Sequence, residues 1–349
     1  MWKQDLKRIH PISSKWFGIA QERWDSLTKP KRSLGMLEEI AARAVAIREE
    51  KLPAILAKEV FVFAGDHGVV SEGISPYPQE VTGLMVRNFL RGGAGINVLA
   101  RCAGAGVSIV DIGMKDDLSN IDGLIRRNVR RSTRNIAEGP AMTREETETA
   151  MNVGVEMAEQ SFGRGGFMLA TGEMGIGNTT PSSALFSALL PAAVEDVTGR
   201  GTGLDDAGLV HKTAVIARAM EVNRPALRDP LSILSAVGGL EIAGICGLCI
   251  GGAARRMMVV VDGFISTAGA LVAMRLNPAI KDYLFFSHQS SEKGHRAFFE
   301  KENIRPILDL DLRLGEGTGA VLGMQIIENA LRLYREMATF EEMGITPGT

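Results

Sequence analysis

Short apolar runs alternate with helical stretches along most of the chain. Each run is rich in β-branched or aromatic residues and ends in glycine or polar residues; the runs cover residues 60–64, 107–112, 167–170, 258–261 and 283–286. Strands that are apolar at every position are typical of a parallel sheet buried on both faces. The pattern therefore predicts an α/β fold, a mostly parallel sheet with helices on both faces in a Rossmann-like three-layer arrangement.

The two ends of the chain lack such runs and have helical periodicity instead. Residues 1–50 are polar, with Pro30 as an interruption and apolar side chains at helical spacing over residues 34–48. A second long helix is predicted over residues 321–337. We expect this C-terminal helix to pack back against the N-terminal helices.

Composition narrows the class of protein. The chain has 349 residues, 45% hydrophobic and 23% charged, so it can bury a large core. A net charge of −2, without basic stretches between aromatics, argues against a nucleic-acid partner. The N-terminus has no apolar core of signal-peptide length, and no uninterrupted apolar run reaches the length of a membrane span, so we expect a cytoplasmic protein with no membrane partner. For the C-x-x-C of Cys246 and Cys249, packing in an apolar helix is favoured over a redox pair.

The polar ends of the predicted strands fall on one edge of the sheet, where ligands bind in folds of this class. Two segments at this edge carry a glutamate among glycines: residues 172–180 contain Glu173, and residues 315–319 contain Glu316. Glycines let a backbone approach a ligand closely. Glu316 is either a partly desolvated general base or a glutamate that only stabilises a helix dipole, and the same alternatives are open for Glu173.

A polar, glycine-rich loop covers residues 197–204, and Lys212 follows on the next helix. Backbone amides with one ammonium group would bind phosphate; a flexible surface loop is the other interpretation. Asp262 and Gly263 follow a predicted strand, where the carboxylate would bind a ribose hydroxyl or cap the next helix. The chain has neither a Walker A sequence nor a strict dinucleotide fingerprint. Its five histidines are not spaced as metal ligands, so no metal ion and no other cofactor is expected.

Several further segments match, in order, the pattern of one enzyme family. The matching segments are residues 26–30, 33–35, 64–69, 80–82, 88–94, 96–97, 172–180, 199–203, 262–263 and 315–319. Together they resemble the nicotinate-nucleotide-dimethylbenzimidazole phosphoribosyltransferases, which make the lower-ligand nucleotide of cobamides. Because the segments span nearly the whole chain, the resemblance is specific.

The resemblance implies a domain organisation and a reaction. It implies a large α/β domain over residues 51–314, a small helical domain built from residues 1–50 and 315–349, and a homodimer. The implied reaction converts nicotinate mononucleotide and 5,6-dimethylbenzimidazole, or a related base, to α-ribazole 5′-phosphate and nicotinate. The alternatives are a non-catalytic nucleotide sensor and another nucleotide-using α/β enzyme such as a dehydrogenase.

The resemblance also implies roles for individual residues. The general base would be Glu316, which would take the ring N–H proton of the incoming base. The pocket for that base would be lined by Glu173, Met174, Leu84, Pro76 and Tyr77. The nucleotide and its phosphate would be bound by Gly175, Gly201, Gly203, Lys212, Asp262, Gly263, Gln289, Ser290 and Ser291.

Two pocket positions depart from the family pattern. Leu84 stands where relatives often have glutamine, and Met174 stands where leucine is common. Compared with relatives, this pocket would have a more deformable apolar wall and one hydrogen-bonding side chain fewer. Such a pocket favours a relaxed choice among incoming bases. We therefore expect adenine, benzimidazoles or phenolics to compete with dimethylbenzimidazole.

Overall fold

The structure is a computed structural model that describes residues 1–54, 57–118 and 120–345. Residues 55, 56 and 119 of the predicted large domain and residues 346–349 of the predicted small domain lie outside the described residues. The helices are α1 (Trp2–Arg8), α2 (Ser14–Ser26), α3 (Met36–Arg48), α4 (Val81–Arg91), α5 (Gly95–Ala103), α6 (Arg144–Gly163), α7 (Thr179–Leu189), α8 (Val194–Val197), α9 (Asp206–Val222), α10 (Pro230–Val237), α11 (Leu240–Ala254), α12 (Phe264–Leu276), α13 (Lys293–Glu302) and α14 (Thr318–Glu336). The strands are β1 (Ala57–Gly65), β2 (Gly106–Gly113), β3 (Leu124–Arg126), β4 (Gly166–Met174), β5 (Met258–Val261), β6 (Leu284–Phe286), β7 (His288–Gln289) and β8 (Leu308–Asp309).

Six strands form the central sheet in the order β3-β2-β1-β4-β5-β6, and every neighbouring pair in it is parallel. In the middle of the sheet, Val60 lies opposite Val107 on one side and Ala170 on the other. The predicted α/β class and the five predicted strands are confirmed. The sequence pattern did not reveal β3, because one of its three residues is an arginine, or the small β7–β8 ladder, whose strands have two residues each.

Helix α11 is buried along nearly its whole length between α6 and the sheet. Glycines bring the two helix backbones into contact: a Cβ atom on Gly154 would lie 1.9 Å from the carbonyl oxygen of Gly244. Cys246 and Cys249 are free thiols in this helix, and burial raises the pKa of Cys249 to about 12. The prediction of packed thiols is therefore confirmed.

The two chain ends pack together beside the sheet. The N–H of Thr28 donates to the carbonyl oxygen of Ala338 at 3.0 Å, and the Trp24 and Tyr334 rings meet edge to face with centroids 5.0 Å apart. Helix α14 also packs against α3, α5 and the strands β4 and β5. The loop that precedes α14 is thus held at the carboxyl edge of the sheet. Among the described residues, no helix combines the length and the apolar character that crossing a bilayer requires.

Candidate active site

A cleft of about 500 Å³ opens at the carboxyl ends of β4 and β5. Of the residues that the sequence predicted for the site, seven line it: Tyr77, Glu173, Met174, Gly175, Gly201, Gly263 and Ser290. It is also lined by residues that the sequence analysis did not select, namely Ile176, Asn178, Thr179, Thr202, Phe264, Ile265, His288, Glu292 and residues 311–315. The prediction of a ligand site at this edge of the sheet agrees with the position of the cleft.

Glu173 lies at the end of the central strand β4 and is 5% exposed. Asn178 Nδ2 donates a hydrogen bond to its carboxyl group, which lowers the pKa of Glu173. Burial away from water raises the pKa of Glu173 by more than this bond lowers it. The negative charges of Asp262, Glu241 and Glu316 raise it as well. Together they raise the pKa of Glu173 to about 8, so this side chain is mostly protonated at neutral pH.

Glu316 lies in an unusual backbone turn at the start of α14. Gly315, Glu316 and Gly317 have φ angles of +84°, +64° and +92°, three consecutive residues in the left-handed region. For a residue with a side chain, that conformation costs roughly 1–2 kcal/mol, so Glu316 is held there by its surroundings. The Gly-Glu-Gly sequence gives the two flanking positions to the residue type that tolerates this backbone best.

The turn presses directly on the end of β4. A Cβ atom on Gly172 would lie 2.6 Å from the carbonyl oxygen of Glu316, and one on Gly315 would lie 2.3 Å from Glu173 Oε1. Glycine at residue 172 is therefore needed for this close backbone approach. The contact brings the two glutamates of the predicted site together, as the sequence analysis expected.

The Glu316 carboxylate is 5% exposed and points to the start of helix α5. The backbone N–H of Ile96 donates to Glu316 Oε2 at 3.1 Å. Desolvation and the charge of Asp262 raise the pKa of Glu316, while the bond from Ile96 opposes the rise. Glu316 itself is not part of the cleft wall, which ends at its neighbour Gly315. The side chain is thus a desolvated carboxylate directly behind the cleft, which is the environment of a general base.

Asp262 ends strand β5 and is 1% exposed. Its two oxygens accept the backbone N–H of Gly317 at 3.1 Å and of Ala320 at 2.9 Å. The carboxylate therefore caps helix α14. This differs from the sequence analysis, which considered a cap only for the helix that follows Asp262 in the chain.

A buried ammonium group lies beside the cleft, next to the lining residues Thr179 and Gly201. Lys212, on α9, is 1% exposed, and its Nζ donates to Thr179 Oγ1 at 2.7 Å. Burial lowers the pKa of Lys212 to about 8, although the neighbouring charge of Glu292 opposes the change. A Cβ atom on Gly201 would lie 3.2 Å from Lys212 Nζ, so the glycine-rich loop runs beside the cation. Loop amides, a hydroxyl and an ammonium group form a site suited to phosphate.

Ser290 is held by a buried histidine that the sequence analysis did not select. The backbone N–H of Ser290 donates to His295 Nδ1 at 2.9 Å, and His295 Nε2 lies 3.0 Å from Thr267 Oγ1. Burial lowers the pKa of His295 well below its ordinary value, so the ring is neutral. A neutral ring accepts at Nδ1 and donates from Nε2, which fixes this tautomer.

Five further predicted residues lie outside the lining of this cleft. Leu84, on α4, is 62% exposed, Pro76 is exposed, and Gly203 lies on the exposed part of its loop. Gln289 and Ser291 line a neighbouring recess that shares Ser290 with the cleft. Ser291 Oγ donates to the carbonyl oxygen of Asp311 at 2.9 Å, and this bond ties the loop before Glu316 to the strand edge.

Within the described part of the chain, no three His, Cys, Asp or Glu side chains are grouped so that they could hold a metal ion. The buried pair of His67 Nε2 and Glu241 Oε1, 2.9 Å apart, lies beneath the turn that contains Gly175. The Glu241 carboxylate is one of the charges that raise the pKa of Glu173. This pair therefore contributes to the electrostatics of the site without lining the cleft.

Comparisons with known proteins identify the family of the chain. A family model described as "Phosphoribosyltransferase" matches residues 9–345. Proteins named nicotinate-nucleotide–dimethylbenzimidazole phosphoribosyltransferase are similar to this chain over nearly its whole length. The protein from Geotalea uraniireducens is 54% identical, and the alignment covers 99% of this chain and 98% of that protein. The protein from Geobacter sulfurreducens is 55% identical, with 98% of this chain and 97% of that protein covered. A crystal structure of CobT from Thermus thermophilus superposes with a TM-score of 0.90 at 46% identity, covering 96% of this chain and 100% of that one. The chain belongs to the phosphoribosyltransferase family that this model describes.

Proposed function

We propose that the protein transfers the phosphoribosyl group of nicotinate mononucleotide to 5,6-dimethylbenzimidazole or a related base. The products are nicotinate and α-ribazole 5′-phosphate, the nucleotide used in cobamide assembly. One observation carries the proposal: the buried Glu173 lines the cleft, the buried Glu316 lies directly behind it, and the buried Lys212 lies beside the cleft residues Thr179 and Gly201. The names of relatives 54% and 55% identical over nearly full length support the same reaction.

The chemistry needs positioning and the removal of one proton. A ring nitrogen of the incoming base forms a bond to C1′ of the ribose, on the face opposite the departing nicotinate. The C1′–N bond to nicotinate breaks, and its electron pair returns to the pyridinium nitrogen. Nicotinate therefore leaves with a neutral ring nitrogen, and the configuration at C1′ is inverted. Glu316 receives the N–H proton of the attacking base. Its raised pKa makes it a better proton acceptor than an exposed glutamate.

The nucleotide is oriented by its phosphate. Lys212, Thr179 and Gly201 surround the site proposed for the 5′-phosphate, with Gly175, Gly203 and Ser290 nearby. Gln289 and Ser291 extend that site into the neighbouring recess. Gly263 also lines the cleft, and because it has no side chain it leaves room for the ribose.

The attacking base binds at the glutamate end of the cleft. Met174 and Tyr77 provide its apolar wall, and protonated Glu173 offers a hydrogen bond. Leu84 and Pro76 stand at the exposed side of this pocket in the proposal, where they close over the bound base. Their exposure is consistent with a wall that a ligand completes.

The domain division, the homodimer and the cytoplasmic location are part of the same proposal. The hydrogen bond from Thr28 to Ala338 and the contact of α3 with α14 support a small domain built from residues 1–50 and 315–349. Light scattering in solution tests the homodimer: a mass of about twice 37.5 kDa is expected, and a monomer mass contradicts it. Cell fractionation tests the location, with the protein expected in the cytosolic fraction.

The test of the reaction uses the purified chain with nicotinate mononucleotide and dimethylbenzimidazole, without added metal or redox cofactor. Mass spectrometry should find nicotinate and α-ribazole 5′-phosphate in equal amounts. Nucleotide binding without nicotinate release would instead indicate a nucleotide sensor. Reduction of an added nicotinamide cofactor, with no transfer, would indicate a dehydrogenase.

A further inference from the structure

Asp262 occupies a special place in this site, and the inference drawn from it rests on the proposed function. Its carboxylate is buried, and both oxygens accept backbone N–H groups, from Gly317 and Ala320. Its own backbone N–H donates to Thr171 Oγ1 at 3.0 Å, which ties it to strand β4. Asp262 does not line the cleft, whereas the next residue, Gly263, does.

The groups bound by Asp262 belong to the turn that carries Glu316. Gly317 follows Glu316 directly and shares its left-handed backbone. The turn also packs against β1 and β4, since a Cβ on Gly317 would lie 2.8 Å from Val60 Cγ1 on β1 and 3.2 Å from the carbonyl oxygen of Thr171 on β4. The turn is therefore held between the end of β4 and the Asp262 carboxylate.

We infer that Asp262 is a positioning residue that fixes the Glu316 carboxylate through the backbone of residues 315–317. The alternative is the ribose contact implied by the family resemblance. A carboxylate that contacts ribose needs an oxygen directed to the cleft, and both Asp262 oxygens are directed to the first turn of α14. If Asp262 acts through Glu316, its loss should impair proton removal and leave the affinity for the nucleotide intact.

The first test compares kcat with KM in the D262N variant. Asn keeps the size of Asp and one acceptor oxygen, but places an amide group against the second backbone N–H. If the Glu316 carboxylate is displaced by a fraction of an ångström to 1 Å, kcat should fall about 10- to 100-fold. The KM for nicotinate mononucleotide should stay within about 2-fold of wild type. A raised KM with kcat retained would establish the ribose contact and overturn the inference.

The chain offers a matched control for the loss of a helix-capping aspartate. Asp229 Oδ1 accepts the backbone N–H groups of Leu231 and Ser232 at the start of α10, and Asp229 does not line the cleft. D229N makes the same Asp-to-Asn change at the start of a helix away from the cleft, so kcat should stay within about 2-fold of wild type. An equal fall of kcat in both variants would show a general effect of weakened helices and overturn the inference.

The second test asks whether Asp262 works through Glu316. In the E316Q background, where the base is already absent, D262N should lower the residual rate by less than about 2-fold, because residues that act as one unit are not additive. A full 10- to 100-fold further loss would overturn the inference. If D262N does not fold, the shorter D262S, with one acceptor, is measured in the same way.

A third measurement does not depend on the reaction. Amide hydrogen exchange of residues 315–320, followed by mass spectrometry, should be faster in D262N than in wild type and unchanged in D229N. Unchanged exchange in D262N would overturn the inference even if activity fell. A wild-type protein that makes no product would refute the proposed function instead, and the exchange experiment would still report on the turn.

Discussion

Replacing Glu173 with glutamine should stabilise the folded protein at neutral pH. The carboxyl is buried beside Asp262, Glu241 and Glu316, and its pKa rises from an ordinary value of 4.5 to about 8. The folded chain therefore keeps a proton that the unfolded chain has lost. For a raised pKa, the stabilising contribution is complete below about pH 4.5 and is lost as the pH rises toward 8. Glutamine is neutral throughout and does not incur that loss.

The size of the effect follows from the pKa difference. Each pKa unit corresponds to about 1.4 kcal/mol. At pH 7 the free energy of unfolding of E173Q should therefore exceed that of wild type by about 3 kcal/mol. At pH 5 the advantage should be below about 1 kcal/mol. A chain of 349 residues has an unfolding entropy near 0.7 kcal/mol per degree, so the gain at pH 7 is about 4 °C in Tm.

The assay is thermal unfolding of wild type and E173Q at several pH values from 4.5 to 8. The exposed Glu138 provides the control, because E138Q removes a carboxylate that water already solvates. E138Q should shift Tm by less than about 1 °C at every pH. An E173Q protein that is less stable than wild type at pH 7, or equally stabilised at pH 5 and pH 7, would refute this electrostatic description of the site.

Three further predictions concern the reaction. Lys212→Met should raise KM for nicotinate mononucleotide at least about 10-fold, with a smaller change in kcat. The KM of wild type should rise above pH 8, because Lys212 loses its proton there. Steady-state kinetics measured across this pH range checks both. Gly172→Ala should lower kcat about 10- to 100-fold by displacing Glu316, whereas Gly139→Ala, which has open space for a Cβ, should leave kcat unchanged. In competition with equal mixtures of bases, other benzimidazoles should be used at rates comparable to dimethylbenzimidazole; almost exclusive use of dimethylbenzimidazole would contradict a relaxed choice of base.

Most of the fold could be predicted because its signals are local. The five apolar runs coincide with five of the six strands of the sheet, and their polar ends lie at the edge where the cleft opens. A run over residues 258–261 is buried on both faces, so its composition alone identifies it. Strand β3 has only two apolar residues before Arg126, and β7 and β8 have two residues each, so none of them leaves such a signal.

The site was predictable in part for a different reason. Glycines around Glu173 and Glu316 mark close backbone contacts, so the sequence indicated both residues before their proximity was known. Asp262 caps a helix start that lies far along the chain: Gly317 and Ala320 are separated from it by 55 and 58 positions in sequence. No local sequence pattern encodes such a contact. His295 was missed for the same reason, since its partners Ser290 and Thr267 come together only in the folded chain.

The most direct test of the central claim is the rate of nicotinate release by E316Q within a single turnover. We expect this rate to fall 100-fold or more, since general base catalysis contributes about 10²–10⁴-fold. The affinity for nicotinate mononucleotide, measured by calorimetry, should stay within about 2-fold of wild type. Glu328, on the same helix α14 and paired with Lys58 away from the cleft, supplies the control: E328Q should keep the wild-type rate. An E316Q protein that releases nicotinate as fast as wild type would contradict the account.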